Sequence, residues 1–251
     1  MNRDPSSTVI HFLSDLHLSP GNPGVTRIFL DYLETDARSA ERIFILGDLF
    51  EAWAGDDSID DPEDCFNRDI VTNLRHLADH GTNVATQHGN RDFLLGSYFA
   101  EYSGATLLPD PFVLSLPTWQ FVLSHGDGLC TDDAEYQAFR AQVRNKSWQD
   151  VFLRKPLAER KAIAAAMREQ SEASKREKPM QTMDLNPVST DDFLRQYGYA
   201  TLIHGHTHRP AQHDHIVDGI HVERWVLSDW HEDRGEYLAW DGHHLSRHEL
   251  R

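Results

Sequence analysis

Five short apolar runs along this chain each end on a polar cluster: Asp15-Leu16-His17, Gly47-Asp48, Gly89-Asn90-Arg91-Asp92, Ser124-His125-Gly126-Asp127 and Gly205-His206-Thr207-His208. The runs, such as VIHFLS at Val9–Ser14 and RIFIL at Arg42–Leu46, have the length and composition of buried strands. In α/β sheets ligands bind just beyond the carboxyl ends of strands, so clusters spread from position 15 to position 208 are expected to meet. Taken one at a time, each cluster has an ordinary reading, Gly47-Asp48 as a turn and Asp15-Leu16-His17 as chance. Together, each directly after an apolar run, they specify a site.

Between the first two runs, Val25–Ala37 places Ile28, Phe29, Tyr32 and Leu33 at helical spacing, so the chain opens as a parallel βαβ unit. The alternation repeats with a helix over 67–80 and a weak strand at Thr82–Thr86. Val113–Leu116 and Phe121–Ser124 flank a Pro117 turn and read as an antiparallel pair. Ala200–Ile203, Ile220–Leu227 and Tyr237–Trp240 complete the strands. Residues 132–196 are dense in charge, show no strand pattern and read as a helical insertion.

Histidine is abundant, 16 in 251 residues, and several copies sit beside Asp, Asn and Gly. Imidazole nitrogens with carboxylate and amide oxygens suit two adjacent divalent cations such as Mn, Fe or Zn, with Asp48 as the natural bridge. A glycine beside each cluster lets backbone pass a crowded centre without a side-chain clash. The two cysteines, Cys65 and Cys130, read as thiols. A formal charge of −16 argues against nucleic acid as a partner and requires a local positive centre for any anionic substrate. No run reaches the roughly 20 apolar residues that cross a bilayer, and Met1–Thr8 is polar, so the expectation is a cytoplasmic protein or one lying on a membrane.

The five clusters resemble the signature of the calcineurin-like metallophosphoesterase superfamily, D-x-H, G-D, G-N-H-[DE], H and G-H-x-H, over Val9 to His208. The resemblance implies an α/β (α+β) fold, a two-layer β-sandwich flanked by helices, in one domain over 1–251 with the 132–196 insertion as a substrate-binding cap. It implies one metal held by Asp15, His17, Asp48 and His208, and a second by Asp48, Asn90, His125 and His206. One position departs from the signature: Arg91 stands where the superfamily commonly has a histidine that assists an alkoxide leaving group. Arginine keeps its proton and cannot act as a general acid. A phosphate monoester leaves without protonation, so Arg91 favours a pyrophosphate bond over an alkyl ester, with its guanidinium gripping phosphate oxygens.

Longer strings, among them ILGDLFEAWAGDD (45–57), HGNRDFLLG (88–96), SHGDGLCTDDAEYQAFR (124–140) and IHGHTHRPA (203–211), resemble the branch that hydrolyses UDP-2,3-diacylglucosamine in lipid A biosynthesis. That branch implies water, activated by two Mn²⁺, attacking the α-phosphorus and releasing UMP and 2,3-diacylglucosamine 1-phosphate. It assigns catalysis to Asp48, Asn90, Arg91 and His125, and substrate contacts to Asn90, Arg91, Asp133, Ser171, Lys175, Lys178 and His206. Lys175 occupies a slot where the branch carries asparagine. For a nucleotide-linked glycolipid, Trp148, Val151, Phe152, Leu153, Leu157, Ile163 and Met167 are candidates to line an apolar cleft, or else ordinary helix packing. Phe152, Leu153, Arg154, Lys155, Arg160 and Lys161 suggest peripheral contact with the cytoplasmic face of the inner membrane. The alternatives are a phosphodiesterase or protein phosphatase of the superfamily, or a scaffold without catalysis. The oligomeric state stays open.

Overall fold

The structure, a computed structural model, describes residues 9–177 and 184–251. The first sheet contains β1 (Ile10–Leu13), β2 (Arg42–Leu46), β3 (Asn83–Gln87), β4 (Thr106–Leu107), β10 (Gly235–Trp240) and β11 (Leu245–Leu250) in the order β11-β10-β1-β2-β3-β4. The second contains β5 (Phe112–Ser115), β6 (Gln120–Ser124), β7 (Thr201–His204), β8 (Ala211–Val217) and β9 (Ile220–Val226) in the order β5-β6-β7-β9-β8. β1, β2, β3 and β4 run parallel to one another, as do β6, β7 and β9. Each sheet therefore gathers the loops that follow its central strands along one edge.

The period-2 alternation of a strand sorts its side chains into two cores. Ile10, Phe12, Phe44 and Leu46 from the first sheet meet Phe121, Leu123 and Ile203 from the second, filling the space between the sheets. Leu13, Ile43, Ile45 and Val84 point the other way, onto the helices α1 (Pro23–Glu34), α2 (Phe66–Asp79) and α3 (Ser97–Ser103). Both faces of these strands are covered, which is why they read as unbroken apolar runs.

Among the described residues four α-helices lie between β6 and β7: α4 (Ala134–Val143), α5 (Lys146–Leu153), α6 (Leu157–Glu177) and α7 (Pro187–Gln196). Asp133, Asn145 and Asn186 cap α4, α5 and α7 by accepting the backbone N–H of Tyr136, Trp148 and Ser189. Buried and half-buried charges tie these helices to the sheets. Asp127 accepts from Arg140 Nε and Tyr136 Oη, both at 2.8 Å, and Arg144 Nη2 donates to the carbonyls of His88 and Gly89. Arg160 is buried against Asp57 and the Ala54 carbonyl, and Lys161 pairs with Asp61 and Asp64.

Candidate metal centre and cleft

The strand ends bring the candidate ligands into one cluster, Asp15, Asp48 and His125 buried and His17, Asn90, His206 and His208 half-buried. Asp15 follows β1, Asp48 follows β2, Asn90 follows β3, His125 follows β6, and His206 and His208 follow β7. Seven non-glycine residues among those described have positive φ, and five of them are candidate ligands: Asp15, His17, Asp48, His206 and His208. Left-handed backbone costs a non-glycine residue on the order of 1–3 kcal/mol and collects at functional sites, where the surroundings enforce it. Glycine is required where these loops cross. A Cβ on Gly89 would collide with the Asp48 carboxylate, and one on Gly205 with Ser14 Oγ and Asp15 Oδ2.

Asp48 lies in the middle. Its Oδ2 is 3.8 Å from His17 Nε2 and 3.8 Å from His125 Nε2, while Oδ1 accepts the Arg91 N–H at 2.8 Å. On one side, His17 Nε2 and His208 Nε2 face each other at 3.5 Å, and His208 Nε2 is 3.3 Å from Asp15 Oδ1. On the other side, Asn90 Oδ1 lies 3.1 Å from His125 Nε2 and 2.9 Å from His206 Nδ1. The His125 Nδ1–H donates to the Leu46 carbonyl at 2.8 Å, which leaves Nε2 facing Asp48.

This donor set fits divalent cations. Asp15, His17 and His208 form one group of mutually close ligand atoms, and Asp15, Asp48 and His125 form another. Asp15 Oδ1 is buried and accepts no hydrogen bond. Burial disfavours charge on Asp15, but His208, His125 and His17 outweigh it and hold the carboxyl well below its usual range. Burial likewise opposes charge on His125 and His208, yet the neighbouring carboxylates push their pKa values up to about 9 and about 10. Burial, aided by Asp92 and Asp15, carries Asp48 up to about 7. Burial and the charge of His125 bring His206 down to about 3.

A cleft of about 710 Å³ opens onto the cluster. Asn90, Arg91, Asp133, Ser171, His206 and His208 are in its walls, so the structure places the described polar candidates together. Lys178 and the side chain of Lys175 lie outside the described residues. Among the apolar candidates, Trp148, Phe152 and Met167 line the cleft, joined by Trp53, Phe93 and Phe139, which the sequence pattern did not single out. Val151 and Leu153 instead face solvent, and Ile163 packs on the helix-covered core of the first sheet.

A family model described as calcineurin-like phosphoesterase matches residues 8–210. The chain belongs to this family. Membership implies divalent metal ions, and the cluster above contains candidate ligands for them. This phosphoesterase is 49% identical over 231 residues to a UDP-2,3-diacylglucosamine hydrolase of Aromatoleum aromaticum, covering 92% of each chain. It is 48% identical over 223 residues to the protein of the same name from Chromohalobacter salexigens, covering 89% of each. A UDP-2,3-diacylglucosamine hydrolase of Pseudomonas aeruginosa is 46% identical over 219 residues, 87% of this chain and 90% of the relative.

Three carboxylates outside the candidate ligand set shape the phosphoesterase site. Asp92 accepts the N–H groups of Gly89 and Leu49, both at 2.8 Å, with those of Asp48 and Phe50 further off, and so binds the loops after β2 and β3 to each other. Glu51 Oε2 is 3.4 Å from His17 Nδ1, and its Oε1 pairs with Arg168 Nε of α6 at 2.7 Å. Asp229 Oδ2 is 3.3 Å from His208 Nδ1. Glu51 and Asp229 were absent from the sequence-based site. Ser228-Asp229 follows the short apolar end Trp225-Val226-Leu227 at the close of β9, a weaker form of the pattern that marked the five clusters, and that signal could have found Asp229.

Proposed function

We infer that this chain hydrolyses the pyrophosphate bond of UDP-2,3-diacylglucosamine by attack of water at the α-phosphorus, giving UMP and 2,3-diacylglucosamine 1-phosphate. The observation that carries the reading is an apolar-walled cleft opening directly onto a partly buried cluster of histidine and carboxylate groups. A cleft with that wall suits acyl chains, at about 0.8 kcal/mol for each methylene buried, while its floor suits a diphosphate.

Asp15, His17, Asp48 and His208 are the proposed ligands of one cation, and Asp48, Asn90, His125 and His206 of the other, with Mn²⁺ the preferred ion. Bound divalent cations lower the pKa of water and neutralise phosphoryl oxygens. Asp48 keeps the two sides in fixed register, because its carboxylate faces both His17 and His125. Arg91 reaches the cleft with its backbone pinned to Asp48, and its guanidinium is the proposed clamp on the phosphates. Water adds to the α-phosphorus as the bridging P–O bond breaks, its proton passes to solvent, and the glycolipid 1-phosphate departs as an anion. No proton donor is needed for that leaving group, in keeping with arginine at position 91.

The insertion over 132–196 acts in this reading as the cap, with Asp133, Ser171, Lys175 and Lys178 as further substrate contacts. Incubation of purified protein with the substrate and Mn²⁺ is expected to yield UMP and the monophosphate, and chelator to suppress both products. Cleavage of cyclic nucleotides or phosphopeptides in preference to the glycolipid would overturn the reading.

No helix among the described residues is long and apolar enough to cross a membrane. Peripheral contact with the cytoplasmic face of the inner membrane is part of the proposal, but its surface is narrower than the sequence suggested. Phe152 and Arg160 are buried, and Lys155 and Lys161 are paired with acidic neighbours. Val151, Leu153 and Arg154 remain exposed on α5 and at its end. The protein should pellet with anionic vesicles at low salt, and Val151→Asp should reduce the pelleted fraction. Retention of the wild type in the supernatant would exclude the contact.

A further inference from the structure

The loop after β9 is stapled into the metal centre by backbone hydrogen bonds. Leu227 N–H donates to the His204 carbonyl at 2.7 Å, and Trp230 N–H donates to the Asp15 carbonyl at 3.2 Å. Between these two bonds the loop presents Asp229. Its Oδ2 lies 3.3 Å from His208 Nδ1 and 3.4 Å from His231 Nε2. The opposite nitrogen of His208 faces Asp15 Oδ1 and His17 Nε2. The imidazole is thus held between a carboxylate behind and the proposed cation position in front.

The other candidate imidazoles have different backing. His125 Nδ1–H donates to a neutral carbonyl oxygen. His17 Nδ1 approaches Glu51, a carboxylate whose charge is shared with Arg168. Asp229 keeps 19% of its side chain exposed, and its described ion-pair partners are both histidines. A carboxylate on the far nitrogen of a ligating imidazole fixes its tautomer and strengthens its donor atom.

We propose that Asp229 is a positioning residue for His208, accepting the Nδ1–H so that the Nε2 lone pair is directed at one cation position and holds that ion more tightly. This rests on the reading of Asp15, His17, Asp48 and His208 as ligands of a single ion. Removing the charge of Asp229 then weakens one of two ions selectively, whereas a merely structural role would change folding stability without changing ion affinity.

The test titrates metal-free, full-length protein with Mn²⁺, counting bound ions by equilibrium dialysis and free Mn²⁺ by its EPR signal. Wild type is expected to take up two ions. Asp229→Asn should take up two, one of them ~10–100-fold more weakly, the usual cost of removing such a partner. The Mn²⁺ concentration for half-maximal hydrolysis should rise by the same factor, with kcat at saturating Mn²⁺ much less affected. Asp229→Glu should recover part of the affinity, and circular dichroism of the metal-free variants should match wild type. Wild-type Mn²⁺ affinity at both positions in Asp229→Asn would overturn the proposal while leaving the metal reading intact. Equal uptake by wild type and His208→Ala would overturn the ligand reading itself, and the role of Asp229 with it.

Discussion

Asp48→Asn is expected to reduce hydrolysis beyond the ~10–100-fold that losing a ligand's outer partner costs, because it removes a charge facing both sides of the centre. The substitution is conservative for the fold. Asparagine tolerates the left-handed backbone at this position, where φ is 52°, and its amide oxygen can still accept the Arg91 N–H. Burial, together with Asp92 and Asp15, disfavours the charge of Asp48 by more than His125 favours it, so its loss is tolerated in the metal-free protein. The melting temperature without metal should therefore stay close to wild type while bound Mn²⁺ falls. His125→Ala should show the same loss of activity and metal. Full turnover in either variant, measured as UMP released, would remove these residues from the centre.

The second large effect is at Arg91. Arg91→Ala should lower kcat by about 10²–10³, the range for loss of one donor aimed at charge developing in the transition state. Arg91→Lys should recover little, since an ammonium cannot reproduce the planar two-point grip of a guanidinium on phosphate oxygens. The backbone bond from residue 91 to Asp48 persists in both variants, so metal content should be unchanged. Steady-state kinetics at saturating Mn²⁺ reads the change. A rate equal to wild type would leave Arg91 outside the mechanism.

The parts legible in the sequence share one physical cause. β1, β2, β6 and β7 are covered on both faces, so their apolar runs are continuous and their polar ends stand out. β8 and β11 were not anticipated because they lie at sheet edges. Ala211–Val217 carries Gln212, Asp214 and Ile216 on an exposed face, and Leu245–Leu250 is half-buried or exposed throughout, so neither shows an apolar run. The short α3 offers too few turns for a helical period.

Site residues divide in the same way. Asp15, His17, Asp48, Asn90, His125, His206 and His208 announce themselves by type and position after a strand. Glu51 and Asp229 lie beside a histidine nitrogen on the far side from the cluster, and for Glu51 three-dimensional placement creates a relation that linear spacing conceals. The insertion is similar. Trp148, Phe152 and Met167 line the cleft while Val151 and Leu153 do not, because helical phase relative to the sheets decides which apolar side chain faces inward. Arg160 and Lys161 looked like a basic surface, and the tertiary fold spends them on Asp57, Asp61 and Asp64.

Delivery of water to the α-phosphorus from the ligand cluster can be followed by hydrolysis of UDP-2,3-diacylglucosamine in oxygen-18 water with Mn²⁺ present. Mass spectrometry should find one labelled oxygen in UMP and none in 2,3-diacylglucosamine 1-phosphate. Label in the glycolipid phosphate, or undiminished hydrolysis after the metal is stripped, would contradict the account.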